Sequence, residues 1–135
     1  MQVRDLMSSE VATVRRNDRL QIADDVMNLG RIRHTPVLDD ESDEVVGILS
    51  QRDLFRGALA RALGYGQHAQ QKVLGMLFVK DVMTCDPITV APDLSIVEAA
   101  RIMLDGKIGC LPVVDGGHLV GILTESDFLR LALRA

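Results

Sequence analysis

GILSQRDL at residues 47–54 returns as GILTESDF at 121–128. In each copy a short apolar run with a leading glycine ends on a hydroxyl residue, and an aspartate follows three positions later. An apolar run of that length, rich in Ile and Leu, reads as a buried strand. Ser50-x-x-Asp53 and Thr124-x-x-Asp127 have the spacing of a capping box, in which two side chains satisfy orphan amides at a helix start. Each copy is therefore a strand that turns directly into a helix.

Working outward, the whole chain repeats. At an offset of 76, VRDLMS (3–8) meets VKDVMT (79–84), and Thr13-Val14 meets Thr89-Val90. Ala23, Met27, Gly30 and Ile32 meet Ala99, Met103, Gly106 and Ile108; Pro36-Val37 and Asp39 meet Pro112-Val113 and Asp115. A turn two residues longer in the first copy changes the offset to 74, which aligns the two VGIL strands. Repetition over most of the chain marks a duplicated unit.

Each copy reads β-α-β-β-α. Val11–Val14 and Ile88–Val90 are the first strands. The helices that follow bury Leu20, Ala23 and Met27, or Ile96, Ala99 and Met103. Asp18 with Gln21, and Ser95 with Glu98, are the expected caps. Gly30 and Gly106 are the expected left-handed helix ends. Strands Thr35–Asp39 and Val45–Leu49 come next, joined by DDESDE in copy one and by a tighter turn around GGH in copy two. The closing helices start at Ser50 and Thr124. The expected fold class is α/β in the α+β sense: two repeats, 1–63 and 79–135, packed sheet to sheet about a pseudo-two-fold axis, with a connector at 64–78 that has helical character from Gln67 to Phe78. Units this small bury too little surface to be comfortable alone.

Composition narrows the function. The chain has 135 residues, 47% of them hydrophobic, with three Phe, one Tyr and no Trp, so the core is aliphatic. A net charge of −4 gives no electrostatic reason to expect nucleic acid or an anionic membrane. The apolar run Met76–Val79 is far short of a membrane span, and the N-terminal stretch lacks a signal-peptide core. A cytoplasmic location is the expectation. Cys85 and Cys110 lack metal-ligand spacing. His34, His68 and His118 have no repeated acid or nucleophile beside them, and the carboxylates fall one per copy, so neither catalysis nor a catalytic cofactor is expected.

The repeated motif admits a second use. A helix start presents N–H groups and positive potential to a phosphate, a Ser or Thr hydroxyl adds a donor, and an Asp one turn later accepts from a vicinal diol. Those are the needs of a nucleoside phosphate. Gly47 and Gly121, inside strands, imply close approach by another backbone or a ligand.

The D-[LV]-M-[ST] segments, the P-V-[LV]-D strands and the G-I-L-[ST]-x-x-D-[LF] endings resemble a tandem pair of CBS (cystathionine β-synthase) domains, a Bateman module. The resemblance implies two clefts between the repeats that bind AMP, ADP or ATP, or alternatively S-adenosylmethionine or NAD. It also implies homodimers with four repeats in a disc, acting on an effector protein. Carried over by position, it places Asp53 and Asp127 on ribose and Ser50 and Thr124 near phosphate. Thr13, Val14, Thr89 and Val90 would line the adenine with His34, Thr35, Pro36, Cys110, Leu111 and Pro112. Copy one has Arg33, His34 and Arg52 where copy two has Gly109, Cys110 and Ser126, so its residues are expected to favour polyphosphates. The competing expectation is a structural dimerisation module with vestigial clefts.

Overall fold

The structure is a computed structural model and describes residues 1–62 and 74–134. In chain order the elements are α1 (Val3–Leu6), β1 (Val14–Arg15), α2 (Leu20–Gly30), β2 (His34–Leu38), β3 (Val45–Ser50), α3 (Gln51–Ala62), α4 (Val79–Val82), β4 (Thr84–Cys85), α5 (Ile96–Gly106), β5 (Cys110–Asp115), β6 (His118–Thr124) and α6 (Glu125–Arg134). The chain is an α+β protein that divides into two compact units. One is continuous, Ala12–Asp86; the other is split, joining Met1–Val11 to Pro87–Ala135.

The continuous unit contains a four-stranded sheet in the order β1-β2-β3-β4. β1 runs parallel to β2, while β3 is antiparallel to both β2 and β4. Leu20, Ala23 and Met27 of α2 are buried against Val14, Val37, Leu49, Leu54 and Val79. Residues 64–73 of the expected connector lie outside the described residues. Of the rest, Leu74 and Leu77 join this same core.

The split unit is built on the β5–β6 hairpin. Its tight turn has Gly116 at φ 58° and Gly117 at φ 84°, left-handed values that glycine adopts freely in two-residue hairpins. Val3 and Leu6 of α1 share a core with Val90, Ala99, Met103, Leu111, Val113 and Leu123.

Leading segments are thus exchanged with respect to the repeats, and the hydrogen bonds show it twice over. Leu20 N donates to Leu77 O (2.8 Å) and Ile96 N to Met1 O (3.2 Å), so each long helix has its first amide satisfied by the segment preceding the other repeat. Val79 N donates to Asp18 O, and Val3 N to Leu94 O. The equivalent aspartates of the two leading motifs close each short helix: Gln2 N donates to Asp5 Oδ2 (2.8 Å) and Phe78 N to Asp81 Oδ2 (2.9 Å).

The motif methionines close over the strand glycines. A Cβ on Gly47 would lie 2.5 Å from Met83 Sδ and 3.0 Å from Thr84 O. On Gly121 it would lie 2.5 Å from Met7 Sδ and 2.9 Å from Ser8 O. The close approach expected at these glycines is therefore made by the protein's own backbone and a thioether.

Four local expectations are corrected. The strand expected at Val11–Val14 is only Val14–Arg15, and that at Ile88–Val90 is a single bridge from Val90 to Val113. In the second case Pro87 and Pro92 flank the stretch and cannot extend a ladder. Asp18 does not cap α2; its carboxylate accepts from Arg15 N (2.8 Å), and Arg19 stands at the N-cap, its side chain turned to Met76 O rather than to the helix amides. Ser95 caps α5 as expected, accepting from Glu98 N at 3.2 Å, but Glu98 turns to Arg101 rather than back to the cap. Finally, the left-handed residues are Arg31 and Lys107, one position beyond the glycines. Ile32 N and Ile108 N then bond back to Met27 O and Met103 O. The returning isoleucine lies over the glycine, where a Cβ on Gly106 would come within 2.8 Å of Ile108 Cγ1.

Candidate functional site

The continuous unit brings the start of β2 beside the end of β3. His34 pairs with Ser50 across the ladder, and Gln51 N donates to Arg33 O at 2.8 Å. Arg33, His34, Ser50, Arg52 and Asp53 therefore share one corner of the sheet, at the N-terminus of α3. The capping box is complete: Asp53 N donates to Ser50 Oγ (2.9 Å) and Ser50 N to Asp53 Oδ2 (3.2 Å). Two of the first three amides of α3 are consequently committed, so a phosphate here would depend more on side chains than the sequence alone implies. Those side chains are present. Arg33 and Arg52 are exposed and make no ion pair among the described residues.

Capping does not exhaust Asp53. A carboxylate offers about four lone-pair directions on two oxygens, and the box uses Oδ2 alone. The side chain is half-buried, with Oδ1 unengaged among the described residues. A diol can be accepted there while the helix start stays closed.

The split unit repeats this corner with different chemistry. Cys110 pairs with Thr124, and Glu125 N donates to Gly109 O at 3.3 Å. Thr124 N donates to Asp127 Oδ2 at 2.8 Å, and the Thr124 hydroxyl donates to the same oxygen at 3.3 Å. Arg130 Nη1 occupies Oδ1 at 2.9 Å. Asp127 is buried and both its oxygens are engaged.

Cys110 is buried, and burial pushes its thiol up to about 12. It packs as a small apolar residue of the interior. The raised value favours the neutral thiol in the folded protein. Its contribution to stability is fully present below the ordinary thiol value of 9.0 and is lost as pH rises toward 12. A thiol reagent at neutral pH is expected to modify exposed Cys85 in the native protein, and Cys110 only after denaturant is added. Rapid modification of both thiols in the native state would contradict this.

Most of the remaining expected residues lie in the interior. Val14 and Val90 belong to the two cores, and Val90 also spends both backbone groups, donating to Pro112 O and accepting from Val114 N. Thr35 is fully buried and its hydroxyl donates to Ala12 O at 2.7 Å, tying β2 to the approach of β1. Pro36, Leu111 and Pro112 are fully buried. Thr13 is half-buried and Thr89 exposed. Sequence reasoning missed Arg130. The signal was an Asp-x-x-Arg spacing that puts both groups on one helix face, present again as Asp53-x-x-Arg56. Among the described residues, no group of three His, Cys, Asp or Glu side chains could hold a metal ion, and no helix is long and apolar enough to cross a membrane.

The CBS domain family model matches residues 3–60 and 79–134, and the chain belongs to that family. A CBS domain-containing protein of Dictyostelium discoideum is 31% identical over 133 residues, covering 98% of this chain and 91% of that protein. Several other curated relatives are longer, and the chain spans less than half of their length. Among solved structures, CBSX2 of Arabidopsis thaliana in complex with AMP is 29% identical, with a TM-score of 0.79, covering 98% of this chain and 96% of that one. A CBS domain pair in complex with 5′-methylthioadenosine and S-adenosyl-L-methionine is likewise 29% identical, with a TM-score of 0.79, covering 99% of this chain and 97% of that one.

Proposed function

We propose that this chain is a non-catalytic regulatory module that binds adenine nucleotides and signals nucleotide status to a separate effector protein. The observation that carries the reading is the corner at Asp53, where a closed helix cap coexists with a carboxylate oxygen unengaged, and two arginines without ion pairs, among the described residues. In this reading Asp53 accepts the ribose diol while Ser50, Arg33 and Arg52 face the phosphates. An arginine fork matches phosphate oxygens geometrically as well as electrostatically, which favours ADP and ATP over AMP at this corner. Asp127 and Thr124 take the same roles in the split unit.

The ligands named for the two solved relatives, AMP in one and adenosyl thioethers in the other, support an adenosyl ligand and leave its tail to be decided by chemistry. The arginines argue for a phosphate tail. Exposed apolar side chains on the long helices, Ile22 and Leu29 on α2 and Val97 and Leu104 on α5, support a homodimer.

The test is calorimetry of the purified chain against AMP, ADP, ATP, NAD and S-adenosylmethionine, after checking its absorbance at 260 nm for carried-over nucleotide. Saturable heat with at least one nucleotide, tighter for the polyphosphates, is expected. Absence of both heat and carried-over nucleotide would leave the structural dimerisation module as the better account.

A further inference from the structure

The two Ser/Thr-x-x-Asp corners share a motif but differ in how much of the aspartate is already taken. At Asp53 the cap uses one oxygen through one bond of 3.2 Å, and Ser50 Oγ accepts from Asp53 N, leaving its own proton available to a ligand. At Asp127 the same oxygen accepts twice, from Thr124 N and from the Thr124 hydroxyl, whose proton is thereby spent. The second oxygen accepts from Arg130 Nη1. Arg56 holds the position equivalent to Arg130, yet no Asp53–Arg56 ion pair is present among the described residues.

We infer that Arg130 is an internal competitor for the ribose-binding oxygen of Asp127, so that the two corners differ in affinity and fill in order, Asp53 first. This rests on the reading of the aspartates as diol acceptors. The physical case is one of competition for lone pairs. A diol presents two hydroxyl donors and needs two acceptor directions on the carboxylate. At Asp53 these are available without breaking any bond. At Asp127 the guanidinium must first leave. Its side chain is 63% exposed, so it can swing into water once displaced, whereas the carboxylate, 9% exposed, has no such recourse and waits for a replacement donor. The contact is therefore reversible and behaves as a latch. An ion pair with one exposed member is weak, which sets the expected effect at about two- to fivefold in affinity rather than an absolute block. Copy two has Gly109 and Ser126 in place of Arg33 and Arg52, so those two cations are not there to offset the competition.

The experiment uses the full chain carrying Asp53→Ala, so that calorimetry with AMP reads the Asp127 corner. Adding Arg130→Met, which keeps the aliphatic stem but removes the donor, is expected to tighten AMP by about two- to fivefold, and Arg130→Lys to give a smaller gain. Arg56→Met, in a chain carrying Asp127→Ala instead, is expected to leave AMP affinity unchanged. Unchanged or weaker binding on Arg130→Met would overturn the latch while leaving the diol reading intact. AMP affinity that survives Asp53→Ala and Asp127→Ala together would instead remove the diol reading beneath it. Melting temperatures of each variant separate lost affinity from lost folding.

Discussion

Asp53→Ala is expected to weaken adenine nucleotide binding at its corner by ten- to a hundredfold. A hydrogen bond to a charged group is worth roughly 1.5–3 kcal/mol, and each factor of ten in affinity corresponds to about 1.4 kcal/mol. The same substitution also removes the acceptor for Ser50 N, so part of any loss could come from a frayed helix start. Asp53→Asn separates the two effects. Its amide oxygen can still accept from Ser50 N, but its nitrogen donates and cannot accept a ribose hydroxyl. Calorimetry should show Asn nearly as damaging as Ala for binding, while thermal unfolding shows Asn close to the parent protein. If Asn binds nucleotide as tightly as Asp, the carboxylate serves only the cap.

The second large effect is on stability. Gly121→Ala would bring a methyl group within 2.5 Å of Met7 Sδ and 2.9 Å of Ser8 O. Methionine can turn aside. The carbonyl cannot, because Ser8 is bridged to Ile122 by Ser8 N to Ile122 O (3.0 Å) and Ile122 N to Ser8 O (2.9 Å). Relief requires breaking that bridge or shifting β6. Overpacking of this kind costs about 1–3 kcal/mol, to be read from denaturant midpoints at constant slope. Gly116→Ala is the contrasting case. Among the described residues nothing lies within 4 Å of its added methyl group, and strain from its positive φ is the penalty. A Gly121→Ala protein as stable as its parent would show that the strand glycine is not held by the approach of Ser8.

How much of this was visible in the sequence depends on the distance over which each feature is decided. The burial of Leu20, Ala23 and Met27 was legible because helical spacing is a local property. The paired glycines of the β5–β6 turn were legible for the same reason. Ser95 could be read as a cap because its partner amide is three residues away. Asp18 could not be read correctly, because the first amide of α2 is satisfied by Leu77, a partner the local sequence does not announce. β1 came out short for a related reason: its length is set by how much of β2 it can reach, which is only Val37 and Leu38. At the candidate corners, the pairing of each hydroxyl residue with its aspartate was legible from the capping spacing and its repetition. Their states were not. That Thr124 donates where Ser50 accepts, and that Arg130 engages its aspartate where Arg56 does not, are rotamer choices that identical spacing leaves open. Val14, Val90 and Thr35 were placed near a ligand by position in the motif, while their side chains are occupied in the protein interior.

The exchanged leading segments also bear on how the chain is assembled. Synthesis proceeds from the N-terminal side, so every residue of Ala12–Asp86 is available as soon as that stretch has emerged. Met1–Val11 emerges earlier but belongs with Pro87–Ala135, and Val3, Leu6 and Met7 stay without their final neighbours until β5 and β6 have been made. The continuous unit thus has every partner it packs against in hand before the split unit does.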